Sequence, residues 1–352
     1  MREDLAAITW PLLDWYGENK RTLPWRGGRD PYRVLVSEIM LQQTRVAAVI
    51  PYYQRWMEEL PDVAALAAAD EEKLMKLWQG LGYYSRARNL RRAAEMVMER
   101  FGGRFPERYE DLLLLPGVGD YTAGAVASIA FGQAVPAVDG NVLRVAARVT
   151  GIDGDILDAG VRRRFRALVA AAVPEDRPGE WNQAWMDLGA TVCLPNGAPL
   201  CGECALARLC EANRLGLQDV LPVRKKKAPR RVEEMTVYLL LREGRAALRR
   251  REDKGLLAGL WEFPHVPGTW TDGTAAEPLA AWGLTAREWR KKLAARHIFT
   301  HVEWHMTGYV LTAAGDGEGF AWVDGRELET LAVPSAFRKF LDEARRALKE
   351  DV

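Results

Sequence analysis

Two carboxylates in this chain stand where chemistry could be done. Glu38 lies in "YRVLVSEIML" (32–41), among Val34, Leu35, Val36, Ile39, Met40 and Leu41, and glutamines rather than charges follow it. A carboxylate in such company loses hydration, which is costly unless the group is paired or stays protonated. Asp139 lies in "VPAVDGN", just before a helix start at Gly140-Asn141. The commoner role of an aspartate at such a place is an N-cap, although a capping carboxylate still has a second oxygen to offer a substrate. One carboxyl held protonated by apolar neighbours and one held ionised in a polar setting form the pair that breaks a glycosidic bond. The first gives a proton and the second stabilises an oxocarbenium-like cation. Spacing alone does not pair two residues a hundred positions apart.

The cysteines make a second constellation. All four, Cys193, Cys201, Cys204 and Cys210, fall within eighteen residues as C-x7-C-x2-C-x5-C. Four thiolates in so compact a loop can surround one zinc ion or one [4Fe–4S] cluster, and the spacing leaves both open. A third feature is "LPGVGDYTAGAVASIAFG" (115–132), which reads as helix, tight hairpin, helix. Gly117 and Gly119 make the turn, and the second helix opens near Asp120. Free N–H groups and the positive end of that helix suit a phosphate. A purely structural turn has the same sequence, and the glycine spacing excludes a dinucleotide fingerprint.

These groups need elements to hold them. The chain has 352 residues, 48% apolar and 28% charged, with a formal net charge of +1. That is an ordinary soluble composition, long enough for two domains. No run approaches a membrane span and no signal peptide opens the chain, so the expected setting is cytoplasmic, on a bacterial nucleoid, with no membrane partner. Residues 1–220 read as helical. "VAALAAADEEKLMKLWQGLG", "SRARNLRRAAEMVMERFG" and "VRRRFRALVAAAVP" carry helical spacing. Residues 221–232, "LPVRKKKAPRRV", read as a basic linker. Residues 233–352 read as α+β: a hairpin turning at Glu243-Gly244, strands in "TGYVLTAA" and "GFAWVDG", and a terminal helix with Ser335 as N-cap.

Together the hairpin at about 110–132, the downstream "VDGNVLRV" and the cysteine loop 193–210 resemble the endonuclease III (helix–hairpin–helix) superfamily of DNA glycosylases. "LPWR" (23–26), "SEIMLQQT" (37–44), "GLGYYSRARNL" (80–90) and "WNQAWMDLGATVC" (181–193) narrow the resemblance to its MutY branch, the adenine DNA glycosylases. "GLWEFP" (259–264) and "IFTHVEW" (298–304) resemble that branch's Nudix-like C-terminal domain. The resemblance covers nearly the whole chain. It implies a helical glycosylase domain with an iron–sulfur loop, a Nudix-like 8-oxoguanine recognition domain, and a monomer acting on double-stranded DNA. The substrate would be adenine opposite 8-oxoguanine or guanine, flipped out of the duplex.

The resemblance also assigns residues. Glu38 protonates the purine, Asp139 stabilises the cation at C1′, and Asn141 supports it. Gln43 and Tyr83 wedge into the duplex, Gln183 reads adenine's edge, and Trp25 and Arg26 line the pocket. Gln42, Arg86, Gly117 and Gly119 contact DNA, and Phe299, Thr300 and His301 read the oxidised base. The resemblance chooses a [4Fe–4S] cluster on the four cysteines over zinc. The first cysteine gap is seven residues where the family usually has six, and Thr300 stands for the family's serine. Lyase-type relatives place a lysine where this chain has Tyr121. A phenol forms no Schiff base, so hydrolysis by water is expected. Acids after "GLWEFP" are sparse, Glu277 and Glu288 nearby, so metal-dependent pyrophosphate hydrolysis is not expected. The alternatives are an endonuclease III-like enzyme for oxidised pyrimidines, and a non-catalytic iron–sulfur DNA-binding protein. Tyr121 with the long C-terminal domain opposes the first; the presence of both carboxylates opposes the second.

Overall fold

The structure, a computed structural model, describes residues 4–225, 229–315 and 317–350. Lys226, Lys227 and Ala228, at the centre of the expected linker, lie outside the described residues. The chain divides into two compact units, Met1–Ala69 with Ser85–Lys226, and Asp70–Tyr84 with Lys227–Val352. The segment Asp70–Tyr84, read from sequence as part of the helical domain, thus groups with the second unit.

The first unit is helical. The Pro31–Leu41 helix opens with Asp30, whose side chain accepts from the Tyr32 and Arg33 amides, and with Pro31 in its first turn. These are strong start signals, because proline lacks only an N–H that would be unsatisfied there anyway. The helix stops at Gln42, and Gln43 follows at φ 59°. Arg86 closes that end: its Nη1 donates to the carbonyls of Ile39 (2.8 Å), Met40 (3.2 Å) and Gln42 (2.7 Å). These include helix-end carbonyls left without intrahelical partners. The Asp120–Phe131 helix is lined with small residues, and Gly124 shows why. A Cβ there would lie 2.2 Å from the Pro136 carbonyl oxygen, so only glycine lets the 133–139 segment pass this close. Buried Asn182 fixes the same segment. It accepts from the Ala137 amide at 2.9 Å and donates to the Val135 carbonyl at 2.9 Å and to Ser128 Oγ at 2.8 Å. A core of Leu12, Leu13, Tyr16, Val142, Val145, Val149, Phe165, Trp181, Trp185 and Leu188 joins the Thr9–Asn19, Gly140–Thr150 and Pro178–Thr191 helices.

The second unit is a mixed sheet. Its strands are β1 (Arg231–Arg242), β2 (Arg245–Arg250), β3 (Trp261–Glu262), β4 (His265–Pro267), β5 (Thr285–Ile298), β6 (Val302–Ala314) and β7 (Ala321–Val323). Among the described residues their order is β3-β2-β1-β6-β5, with β4 on β1 and β7 on β2, and only β1 and β6 pair in parallel. Along β1, Val237, Leu239 and Leu241 face one core with Phe337, Phe340 and Leu341, while Tyr238 and Leu240 face another with Leu279, Tyr309 and Leu311. Burial on both faces explains the unbroken apolar run in β1. The turn Glu243-Gly244 has φ of 48° and 69°, the left-handed pair of a hairpin whose twist matches its strands.

The structure corrects two details. "VAALAAADEEKLMKLWQGLG" is two helices, Val63–Ala67 and Glu71–Trp78, because the Asp70 side chain caps a new start on the Lys73 amide at 2.8 Å. The terminal helix Arg338–Glu350 follows a short 3-10 turn, Ser335–Phe337, and Ser335 makes no capping bond. After "GLWEFP" come β4, a five-residue helix, Glu277–Ala281, and then β5, so the sparse acids Glu277 and Glu288 stand on different elements.

Candidate active site

A cavity of about 520 Å³ opens in the helical unit, and both carboxylates line it. Glu38 comes from the Pro31–Leu41 helix and is 6% exposed. Asp139 comes from the start of the Gly140–Thr150 helix. Also on the walls are Trp25, Arg26, Gln42, Gln43, Tyr121, Asn141, Gln183 and Met186. The structure thus brings together Glu38, Asp139, Asn141, Tyr121 and the pocket residues expected from sequence.

Glu38 accepts a short hydrogen bond from the Tyr121 hydroxyl on Oε2, and that hydroxyl also lies 3.7 Å from Met186 Sδ. Burial raises the Glu38 carboxyl most, the Tyr121 hydroxyl opposes, the Asp139 charge adds, and Arg26 opposes; the result is about 7. A carboxyl at that level is partly protonated at neutral pH, as a general acid must be. Tyr121 is pushed well above its ordinary range, first by burial and then by the two carboxylates, so it stays a neutral phenol.

Asp139 is both cap and site residue. Its Oδ1 accepts from the Asn141 and Val142 amides at 2.8 Å each, and its Oδ2 accepts from Asn141 Nδ2 at 2.8 Å. Burial raises its carboxyl, while those three bonds and Arg144 oppose the rise. Asn141 is held in turn by Arg144, whose Nη2 donates to Asn141 Oδ1 (2.9 Å) and to the Gly189 carbonyl (2.7 Å).

Sequence reasoning missed several of these supports. Asp187 is fully buried and carries no signal beyond its place in "WMDLG". It accepts from Arg26 Nη1 at 2.5 Å and Nη2 at 2.7 Å, and from the Arg21 amide at 3.1 Å and Nε at 2.8 Å. One carboxylate therefore ties the "RTLPWR" loop to the Pro178–Thr191 helix and aims Arg26 into the cavity. Burial alone would raise its carboxyl, but the two guanidiniums bring it below the ordinary value. Gln183 accepts from the Tyr16 hydroxyl through Oε1, and the Arg26 guanidinium stands 5.8 Å from the Tyr16 ring centre. Trp25 packs edge-on against Tyr53 at 5.3 Å between ring centres.

Other expected residues fall elsewhere. Arg86, expected to contact DNA, is buried, and its Nη1 is engaged by carbonyls at the end of the Pro31–Leu41 helix. Its position holds the turn that presents Gln43. Gln43 is exposed, and Tyr83 is 47% exposed; their φ values, 59° and 48°, are left-handed, a strained conformation for side chains of this kind. In the hairpin Gly117 takes φ 78°, and Gly119 is the N-cap of the Asp120–Phe131 helix. Phe299, Thr300 and His301 form the turn between β5 and β6, closed by Phe299 N donating to the Val302 carbonyl at 2.8 Å. The Thr300 hydroxyl shares a short hydrogen bond with the Tyr83 hydroxyl, within the same unit.

The four cysteines line one small cavity beside Val145, Arg148, Leu188 and Val192. Arg148 Nη1 lies 3.3 Å from Cys193 Sγ. Burial pushes Cys204 up to about 11, with the charges of Cys193, Cys210 and Cys201 adding to it. Among the described residues no three His, Cys, Asp or Glu side chains close on a point as ligands of a single ion do. No helix of the described residues is long and apolar enough to cross a membrane.

Residues 36–171 match the family described as HhH-GPD superfamily base excision DNA repair protein, and residues 236–343 match the NUDIX domain. The chain is 37% identical to adenine DNA glycosylase of Homo sapiens over 96% of its length and 73% of the human protein. It is 39% identical to that of Mus musculus, over 96% of this chain and 77% of the other. A solved structure described as a thermostable thymine-DNA glycosylase is similar at TM-score 0.54 and 28% identity, covering 59% of this chain and 96% of that one.

Proposed function

The chain belongs to the HhH-GPD superfamily of base excision DNA repair proteins and within it to the adenine DNA glycosylases, and from that premise we propose that it hydrolyses adenine from double-stranded DNA where the opposite base is 8-oxoguanine or guanine. The carrying observation is the single cavity that Glu38 and Asp139 share, one carboxyl raised to about 7 and the other held by three hydrogen bonds. The proton of Glu38 goes to the flipped adenine and makes it a leaving group. The C1′–N bond breaks, and the ionised Asp139 stabilises the cation that remains. Water then adds at C1′ and gives up a proton, which restores the Glu38 carboxyl. Tyr121 positions the Glu38 carboxyl and offers no amine to the sugar, so the product is an abasic site without strand scission. Gln183 faces the purine, with its amide oxygen already engaged by Tyr16. A duplex with adenine opposite 8-oxoguanine, incubated and then treated with alkali, should break at the adenine. Breakage at an oxidised pyrimidine instead would favour the endonuclease III-like reading. In this reading the enzyme acts as a monomer on nucleoid DNA.

Reading of 8-oxoguanine falls to the turn Phe299-Thr300-His301. The hydroxyl of Thr300 is its polar tip and carries one hydrogen bond's worth of discrimination. Thr300→Ala should reduce the ratio of excision opposite 8-oxoguanine to excision opposite guanine by about fivefold. An unchanged ratio would place recognition outside this turn.

The cysteine loop fits a [4Fe–4S] cluster: four thiols share one cavity, and the Arg148 guanidinium stands against Cys193 Sγ. Cys193, Cys201, Cys204 and Cys210 would hold it, and when bound it would tie the 193–210 loop together through four thiolates. Arg144 Nε donates to the Cys193 carbonyl at 2.9 Å and so joins this loop to Asn141. Purified protein should carry about four irons per chain. Stoichiometric zinc with negligible iron in an anaerobic preparation would overturn the assignment.

A further inference from the structure

We propose that Arg162 and Arg166 form a phosphodiester-binding stripe that leads the DNA backbone from the hairpin to the lip of the adenine cavity. The proposal rests on the function proposed above only in taking duplex DNA as the ligand. Both arginines stand on the Ala159–Ala170 helix, which Asp158 caps by accepting from the Gly160 amide at 2.8 Å and the Val161 amide at 3.0 Å. Phe165 and Val169 turn inward to the core, so the "RRR" of "VRRRFRALVA" is left outward. The helix holds four arginines and no acid, a local concentration of charge in a chain whose net charge is only +1.

Two contacts single out Arg162 and Arg166 from their neighbours. Arg162 lines the same cavity as Glu38, Asp139 and Asn141. Arg166 forms an ion pair with Asp120, donates to the Tyr109 hydroxyl, and stands 5.8 Å from the Tyr109 ring centre. Asp120 is the first residue of the hairpin's second helix. A phosphate drawn to that helix start would meet a carboxylate of its own sign, and Arg166 cancels this charge. Residues four apart lie on one helix face, about 6 Å along the axis, which is on the order of two nucleotide steps of a strand. The two side chains therefore leave one helix face, Arg166 at the hairpin's Asp120 and Arg162 at the cavity through which the adenine enters, placed for nearby phosphates of one strand.

The test is the salt dependence of binding to a duplex, with and without the mispair, for the full chain. A residue that neutralises one phosphate contributes about 0.9 to the slope of log Kd against log salt. Arg162→Ala and Arg166→Ala should each lower the slope by about that amount. Arg166→Lys, which keeps the charge beside Asp120, and Arg163→Ala, off the stripe, should keep the wild-type slope. Arg162 is exposed, so its substitution leaves the fold intact and is the deciding variant. An unchanged slope in Arg162→Ala, or an equal loss in Arg163→Ala, would overturn the stripe. The measurement on unmispaired duplex stands whatever base the enzyme proves to excise.

Discussion

Glu38→Gln should bind the mispair and excise its adenine at least about 100-fold more slowly in single turnovers. Glutamine keeps the shape of glutamate, and its carbonyl oxygen can still accept from the Tyr121 hydroxyl. What it loses is a transferable proton. The apolar wall of Val34, Leu41 and Met186 that raises the Glu38 carboxyl has no such effect on an amide. Binding should survive because the cavity keeps its volume. A mutant that cleaves at the wild-type rate would reduce Glu38 to a buried structural acid.

Asp139→Asn should cost a comparable factor, at least about 10², for a different reason. The loss here is the negative charge facing the developing cation. Asparagine caps helices as well as aspartate does, so the Gly140–Thr150 helix should stay capped through the Asn141 and Val142 amides. One local conflict arises. The new side-chain amine would meet Asn141 Nδ2, and Asn141 cannot turn its oxygen round cheaply because Arg144 holds it. A modest fall in melting temperature is therefore expected beside the large fall in rate. If the rate holds while the melting temperature falls, Asp139 is a cap and nothing more. The two roles separate in one variant because a cap needs an oxygen acceptor and a cation stabiliser needs charge.

How much of the fold and the site is legible in the sequence depends on the reach of each signal. Asp139 as a cap, Gly117 in a left-handed turn and the Glu243-Gly244 hairpin are local effects, and local residues specify them. The alternation on β1 is hidden because both faces are buried, which erases the period-two pattern. Arg86 is only half legible, for a physical reason. An arginine near a helix start in a DNA-binding sequence suggests phosphate, and nothing local shows that its Nη1 also bonds carbonyls 44 to 47 residues earlier in the chain. Asp187 is invisible because its partners, Arg21 and Arg26, lie more than 160 positions away and meet it only in the fold. The pairing of Glu38 with Asp139 is likewise a tertiary fact. Family resemblance suggests it, and the shared cavity supplies the geometry. The break at Asp70 is readable in principle, since an aspartate before "EEK" is a helix start signal.

In the proposed mechanism a protonated Glu38 and an ionised Asp139 act together. The single-turnover excision rate against pH tests it most directly, on wild-type protein with adenine opposite 8-oxoguanine. Burial places the Glu38 carboxyl at about 7, so its acid form is lost as pH rises through that value. Asp139, raised from its ordinary value, must first ionise, which limits the rate on the acid side. The expected profile is a bell whose alkaline limb falls through about pH 7 and disappears in Glu38→Gln. A wild-type rate that stays flat or climbs between about pH 6 and 9 would contradict it.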